Sequence, residues 1–179
     1  VMVYFGQEVG EAARENAGFG LPTRTSIFDY IGVPAHQRWV NGKRYDGGAL
    51  TPEEAALREY YCRLLNLPIV GAFRNIHQYN RAYTPYYNDK VYSFVRETVQ
   101  EKWLVIANFS KRDGFGFELQ IPPELLSTWD LPDGTYPLTD ELYGEVQTHF
   151  YYTDSYGRMR VDIAPLQTLF FKLEVKSEK

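Results

Sequence analysis

The sequence predicts a mainly β protein: an antiparallel β-sandwich of the Greek-key type, preceded by a strand, a long loop and a helix. Three observations support this fold class. An unbroken apolar run opens the chain, one capped helical pattern begins near residue 51, and short segments of alternating apolar and polar residues fill the part after residue 89. Because a period of two is typical of strands with one buried face, the last part predicts two packed sheets.

The opening run, residues 1–5, is read as a buried strand. Every residue in Val-Met-Val-Tyr-Phe is apolar, and such a run is typical of a strand covered on both faces, as in a parallel α/β sheet. Gly6 ends the strand, and Gln7 and Glu8 follow it, where α/β barrels build their active sites. A strand of this kind needs neighbours on both sides. The sequence therefore predicts that the chain is the carboxyl-terminal piece of a larger domain.

A long loop and a capped helix follow the first strand. Residues 10–48 are rich in Gly and show no sustained periodicity, which predicts an elaborated loop. Thr51 and Glu54 then have the spacing of a capping box, and Pro52 suits the first helical position. The predicted helix presents one apolar stripe at helical spacing and is ended by Pro68. The stripe consists of Leu57, Tyr61, Leu64 and Leu65.

From residue 89 onward the hydrophobic period is two. Tyr92 and Phe94 alternate with polar residues, and residues 103–109 form a mostly apolar central strand that begins at Trp103. Turn-forming residues separate the segments, at 113–114, 133–134 and 155–157. Roughly seven short strands at this spacing predict an antiparallel sandwich over residues 89–179. The later alternating sets are Phe117, Leu119 and Ile121; Met159, Val161 and Ile163; and Leu169, Phe171, Leu173 and Val175.

Residues 4–10, Tyr-Phe-Gly-Gln-Glu-Val-Gly, resemble the motif that ends the eighth strand in the α-amylase family, glycoside hydrolase family 13. The Gly and Pro that usually precede the Tyr are absent here. Residues 24–39 share Arg24 and Trp39 with a short element of that family and resemble the longer version of a bacterial subgroup. The resemblance implies that residues 1–88 are the end of a catalytic (β/α)8 barrel and that residues 89–179 form the β-sandwich behind it.

The resemblance also implies where chemistry should and should not lie. In the family the nucleophile, the acid/base and a third Asp follow strands four, five and seven, none of which is in this chain. No catalytic residue and no cofactor is therefore expected in this chain, and the chain alone is expected to be inactive. The resemblance does not decide whether the parent enzyme binds calcium. Gln7 and Glu8 are expected at the rim of the parent's active site. Trp39 and Trp129 are candidates for stacking on a sugar.

Charge and residue spacing exclude several other classes of function. The net charge is −4 without any Lys/Arg block, so nucleic acid and an anionic membrane surface are not expected partners. His36, His77 and His149 are far apart in sequence, which argues against a metal site. Because Cys62 is the single cysteine, an intramolecular disulfide is excluded, and the cysteine count does not indicate the cellular compartment.

Two interpretations of function therefore remain. The first is the carboxyl-terminal part of an α-glucan-cleaving or transferring enzyme, whose partners would be the missing barrel portion and the glucan, with self-association through the open apolar section. The second is a self-contained, non-catalytic carbohydrate-binding sandwich. Two or three exposed, coplanar aromatic rings on one face would favour the second interpretation.

Overall fold

The computed structural model describes residues 2–11, 33–154 and 156–174, so Val1, Arg24, Ser155 and Val175 lie outside the described residues. The chain forms two compact units, Val1–Asn66 and Leu67–Lys179. The first unit contains a 3₁₀ helix, Gln7–Val9, and the helices α1 (Pro34–Val40) and α2 (Pro52–Asn66). The second unit contains β1 (Ala72–Asn75), α3 (His77–Tyr83), β2 (Val91–Glu97), β3 (Glu101–Asn108), β4 (Phe115–Gln120), α4 (Pro123–Leu126), β5 (Gly134–Thr139), β6 (Gln147–Thr153), β7 (Tyr156–Ile163) and β8 (Thr168–Glu174).

The second unit is an antiparallel β-sandwich, which confirms the predicted fold class. Its described strands form two four-stranded sheets in the orders β1-β2-β3-β8 and β4-β7-β6-β5, and every strand pair is antiparallel. Side chains from both sheets form one hydrophobic core, which includes Leu104, Phe117, Phe150, Met159 and Phe171. Burial of these large side chains is the main stabilising term for a domain of this size.

The alternation in β4 and β7 predicts the core face correctly. Phe117 and Leu119 on β4 are buried, as are Met159 and Val161 on β7. Phe117 lies opposite Val161, and Leu119 lies opposite Met159. Because successive side chains of a strand point to opposite faces, the pairing places both apolar sets on the same side of the sheet. The charged residue between Met159 and Val161, Arg160, is exposed.

Strand β2 buries the side chains that the sequence does not single out. Val91, Ser93 and Val95 are buried, whereas Tyr92 and Phe94 are only half-buried on the opposite face. A buried Ser hydroxyl needs a hydrogen-bond partner. Ser93 Oγ has one in Tyr87 Oη at 2.9 Å, and burial raises the pKa of Tyr87 to about 12. The buried face of β2 therefore contains the Ser93 hydroxyl, and the more hydrophobic rings of Tyr92 and Phe94 lie on the opposite face.

Residues 67–88, assigned to the first domain on sequence, belong to the second compact unit. Strand β1 pairs with β2, with Phe73 opposite Arg96. In α3, the buried Asn80 donates from Nδ2 to the carbonyl oxygens of Ile76 and Gln120, both at 2.9 Å. Its Oδ1 accepts from Gln120 N at 2.8 Å and from Thr84 Oγ1 at 2.7 Å. Because a buried amide must be satisfied, this cluster fixes α3 against the end of β4.

The first unit confirms the capping box and differs from prediction elsewhere: helix α1 lies within residues 10–48, which the sequence predicts to be a loop. Thr51 N donates to Glu54 Oε2 at 3.0 Å, and Glu54 N donates to Thr51 Oγ1 at 3.3 Å. Residues 2–6 form no strand, since no described strand lies beside them to complete a hydrogen-bond ladder. The apolar stripe of α2 is at most half-buried, and Leu65 is exposed.

Candidate functional site

Gln7 lies in the 3₁₀ helix that directly follows Gly6. The φ angle of Gly6 is +77°, a conformation that glycine adopts without steric cost. The Gln7 side chain accepts a hydrogen bond from Tyr4 N at 3.1 Å and donates from Nε2 to Tyr61 Oη at 2.6 Å. Gln7 therefore links the amino-terminal segment to α2, and both its amide oxygen and its amide nitrogen are hydrogen-bonded.

Glu8 and Trp39 both contact Arg58, a residue that no sequence motif singles out. The Arg58 guanidinium lies 4.7 Å from the centre of the Trp39 ring, and Arg58 NH1 lies 3.8 Å from Glu8 Oε1. A cation above an indole face is an attractive arrangement, and the carboxylate balances its charge. One face of Trp39 is therefore covered by Arg58. Glu8 acts here as an ion-pair partner.

Further aromatic rings surround the half-buried Trp39. The ring centre of His36 lies 5.7 Å from that of Trp39, and the Tyr45 ring meets Trp39 edge-on at 6.1 Å. Phe5 packs on His36 with ring centres 4.7 Å apart. The backbone N–H of His36 donates to Glu11 Oε2 at 2.9 Å, whereas its ring Nδ1 is buried without a partner among the described residues. We call the set Phe5, Glu8, His36, Trp39 and Arg58 the aromatic–arginine cluster.

A second ion pair fixes the beginning of α2. Arg38 Nε donates to Glu54 Oε2 at 2.9 Å, and Arg38 NH2 donates to Glu54 Oε1. This two-pronged pairing is the geometry in which a guanidinium binds a carboxylate most strongly. The Arg38 hydrogen bond, together with the one from Thr51 N, lowers the pKa of Glu54 to about 2. Glu54 thus serves both as the capping residue and as the partner of α1.

We expect the first turn of α2 to lose stability as the pH falls from about 4.5 to about 2. The pKa of Glu54 is lowered in the folded state from an ordinary value of 4.5 to about 2. A lowered carboxyl pKa contributes stability that is complete above the ordinary value and is lost as the pH falls through about 2. Amide chemical shifts of Thr51 and Glu54 followed from neutral to acid pH measure this transition. Glu54→Gln should abolish this transition. Glu53→Gln, at an exposed neighbouring position, is the control and should leave the transition in place. A transition near pH 4.5 in the unaltered chain would contradict the expectation.

Trp129 lies in the sandwich core, which corrects its assignment as a surface for sugar. The side chain is 3% exposed, and its ring centre lies 5.8 Å from that of Phe150. Its Nε1 donates to Glu97 Oε2 at 2.9 Å, and its carbonyl accepts from Tyr152 Oη at 2.9 Å. An indole buried in this way needs a partner for its N–H, and Glu97 provides it. Neither ring face is open for stacking.

An open groove that no local sequence pattern predicts lies between β1 and α4. It measures about 470 Å³, and its lining includes Phe73, Arg74 and Asn75 on one side and Glu124 and Thr128 on the other. Arg74 Nε donates to Glu97 Oε1 at 2.7 Å, so Glu97 joins the groove to Trp129. The residues of its two walls are about 50 positions apart in sequence. Only the exposed Phe73 beside polar residues could have indicated it.

Within the described ranges, no group of three or more His, Cys, Asp or Glu side chains has the arrangement of a metal site. None of the helices in that part of the chain is long and apolar enough to cross a membrane. Fold and geometry thus define a mainly β protein that combines an antiparallel sandwich with a smaller unit carrying the aromatic–arginine cluster.

No family model matches the chain, and no curated protein matches it. Three solved structures resemble the chain at low identity. A maltotriose complex of an AmyP variant is 18% identical with a TM-score of 0.47, and a maltose complex of AmyP is 14% identical with a TM-score of 0.43; each match covers 73% of this chain and 24% of the other. An Anoxybacillus α-amylase is 15% identical with a TM-score of 0.41, covering 76% of this chain and 26% of the other. The chain thus spans about a quarter of the length of these proteins.

Proposed function

We propose that this chain is the carboxyl-terminal part of an α-amylase-like glycoside hydrolase that acts on α-linked glucans. In this proposal the unit Val1–Asn66 completes the catalytic barrel of the parent, and the unit Leu67–Lys179 forms a mainly structural sandwich. The observation that carries it is an order of segments. The motif at residues 4–10, the capped helix from Thr51 and an antiparallel sandwich follow one another as the resemblance to glycoside hydrolase family 13 implies.

The contacts of the first unit support a rim role for Gln7 and Glu8. Gln7 is bonded to Tyr61, and Glu8 is paired with Arg58, so both side chains are fixed by α2. A residue that orients its neighbours needs such fixed partners, whereas a nucleophile needs access to the substrate. Their proposed role is therefore to hold the end of the last barrel strand in place. The proposed partners are the preceding barrel portion and the glucan, with self-association when the barrel portion is missing.

The outer face of the first sheet weakens the alternative of a self-contained binding module. That alternative requires several exposed, coplanar rings. Phe73 is 49% exposed, but the neighbouring Phe94 is half-buried and tilted by 36° from it, with ring centres 5.3 Å apart. Tyr92 is tilted by 47° from Phe94. These rings do not form one flat platform for an extended glucan.

The coding sequence upstream of Val1 tests the proposed function. We expect it to encode further alternating strands and helices of a (β/α)8 barrel, with carboxylic residues after the strands corresponding to four, five and seven. A stop codon directly upstream, or an upstream domain without any strand-and-helix alternation, would contradict the proposal. The sandwich itself would be unaffected by either result, since its fold does not depend on this assignment.

A further inference from the structure

The groove between β1 and α4 has the dimensions of a small-ligand site. Its volume of about 470 Å³ falls within the range of roughly 300–1,000 Å³ that is common for such sites. One wall is the edge strand β1, all four residues of which are exposed. The other wall comprises α4 and the turn after it. Every lining residue belongs to the second unit.

Phe73 provides an aromatic surface in this groove. Its side chain is 49% exposed, and the Phe94 ring supports it from one side at a centre-to-centre distance of 5.3 Å. An aromatic ring that is held by a neighbour and open on its remaining surface can pack against an apolar face of a ligand at little entropic cost. The C–H face of a pyranose ring is such a surface.

The polar groups around Phe73 are partly fixed in position. Arg74 is held by Glu97, which is held in turn by the buried Trp129. Thr128 Oγ1 donates to Leu125 O at 2.7 Å, which orients the hydroxyl and leaves its oxygen able to accept. Asn75 Oδ1 accepts from His77 N at 2.9 Å, so its amide is also oriented. Hydrogen-bond donors and acceptors thus line both walls of the groove that contains Phe73.

The charge of the groove selects the class of ligand. The positive charge of Arg74 is balanced by Glu97 at 2.7 Å, and Glu124 adds a negative charge at the opposite wall. Anionic ligands are therefore disfavoured, whereas hydroxyl groups can both donate to the carboxylate and accept from the guanidinium. We propose that this groove binds a neutral saccharide, with one sugar ring packed on Phe73 and its hydroxyls bonded to Arg74 and Glu124. That the saccharide is an α-glucan rests on the proposed function.

An extended peptide is the competing occupant, because an edge strand presents unpaired backbone groups. Two features favour the saccharide. Strand β1 has only four residues, which limits the ladder that an added strand could form. The walls also carry Arg74, Asn75, Glu124 and Thr128 around a single aromatic ring. Apolar peptide side chains would leave these polar groups without partners, at a cost in free energy.

The test is a titration of the full chain with maltoheptaose, followed by backbone amide NMR signals. We expect shifts in β1 and in residues 122–128. Phe73→Ala should raise the dissociation constant by roughly tenfold, the size of effect expected when an aromatic contact is removed, and Phe73→Trp should retain binding. Phe109→Ala is the matched control, because Phe109 is 68% exposed and does not line this groove. Glu124→Gln provides a second variant that keeps the size of the side chain.

The results separate this proposal from the proposed function. Equal binding of cellohexaose and maltoheptaose, lost in Phe73→Ala, would uphold the saccharide site and contradict its assignment to α-glucans. Absence of shifts with both sugars, or a dissociation constant unchanged by both Phe73→Ala and Glu124→Gln, would overturn the site. Binding of a strand-forming peptide to β1 with no response to either sugar would overturn it as well, in favour of the competing occupant.

Discussion

This chain alone is expected to release no reducing sugar from starch above the rate of a heat-denatured control. Retaining glycosidases need two carboxyl groups about 5 Å apart on either side of the scissile bond. In the proposed parent those groups lie in the barrel portion that precedes residue 1. Glu8 cannot replace them, since it is paired with Arg58 at 3.8 Å within the aromatic–arginine cluster. Without stabilisation of the transition state there is no catalysis, whatever glucan binding remains.

The measurement is reducing-sugar release by this chain, by a separately expressed upstream barrel portion, and by the two together. Mixing is expected to restore turnover by orders of magnitude, because in the proposed parent the barrel portion supplies the carboxylates and this chain completes its last strand and helix. Serum albumin in place of this chain controls for nonspecific effects of added protein. Turnover by this chain alone would show that the active site has been misplaced. Full activity of the upstream portion alone would show that this chain is dispensable.

Phe150→Ala is expected to destabilise the sandwich by roughly 3–5 kcal/mol, the usual range for a large aromatic side chain removed from a core. Phe150 is fully buried on β6, opposite Met159 on β7. Its ring contacts Trp129, with ring centres 5.8 Å apart. The packing is tight: a Cβ added at Gly157 would lie 2.8 Å from Phe150 Cζ. Because a domain has a total stability of only about 5–15 kcal/mol, the loss would remove a substantial fraction of it.

Urea unfolding followed by Trp fluorescence measures this change, and Trp129 provides a reporter next to the substituted ring. Phe109→Ala is the control, since Phe109 is 68% exposed and surface changes usually stay within about 0.5 kcal/mol. A shift of the unfolding midpoint for Phe150→Ala no larger than that for Phe109→Ala would contradict the described core. A change in the slope of the transition would indicate altered compactness of the unfolded or folded state.

Features that depend on neighbours a few residues away could be predicted from the sequence. The Thr51–Glu54 capping box is one, because both of its hydrogen bonds join residues three positions apart. The core face of β4 and β7 is another, since alternation alone decides which side chains share a face. Phe117 and Val161 are buried as the pattern predicts. The strands from β2 onward follow from these local signals, whereas β1 lies before the predicted sandwich.

Features that depend on distant partners were decided only by the tertiary structure. Trp129 has the local sequence of a loop residue, yet Glu97 and Phe150 bury it. Asn80 is polar by composition, yet it lies in the interior because the Gln120 backbone, 40 positions away, satisfies its amide. The groove beside Phe73 exists only because α4 lies next to β1. Local patterns specify which side chains of a strand share a face, whereas the energy of a buried polar group depends on a partner that only the folded chain brings into contact.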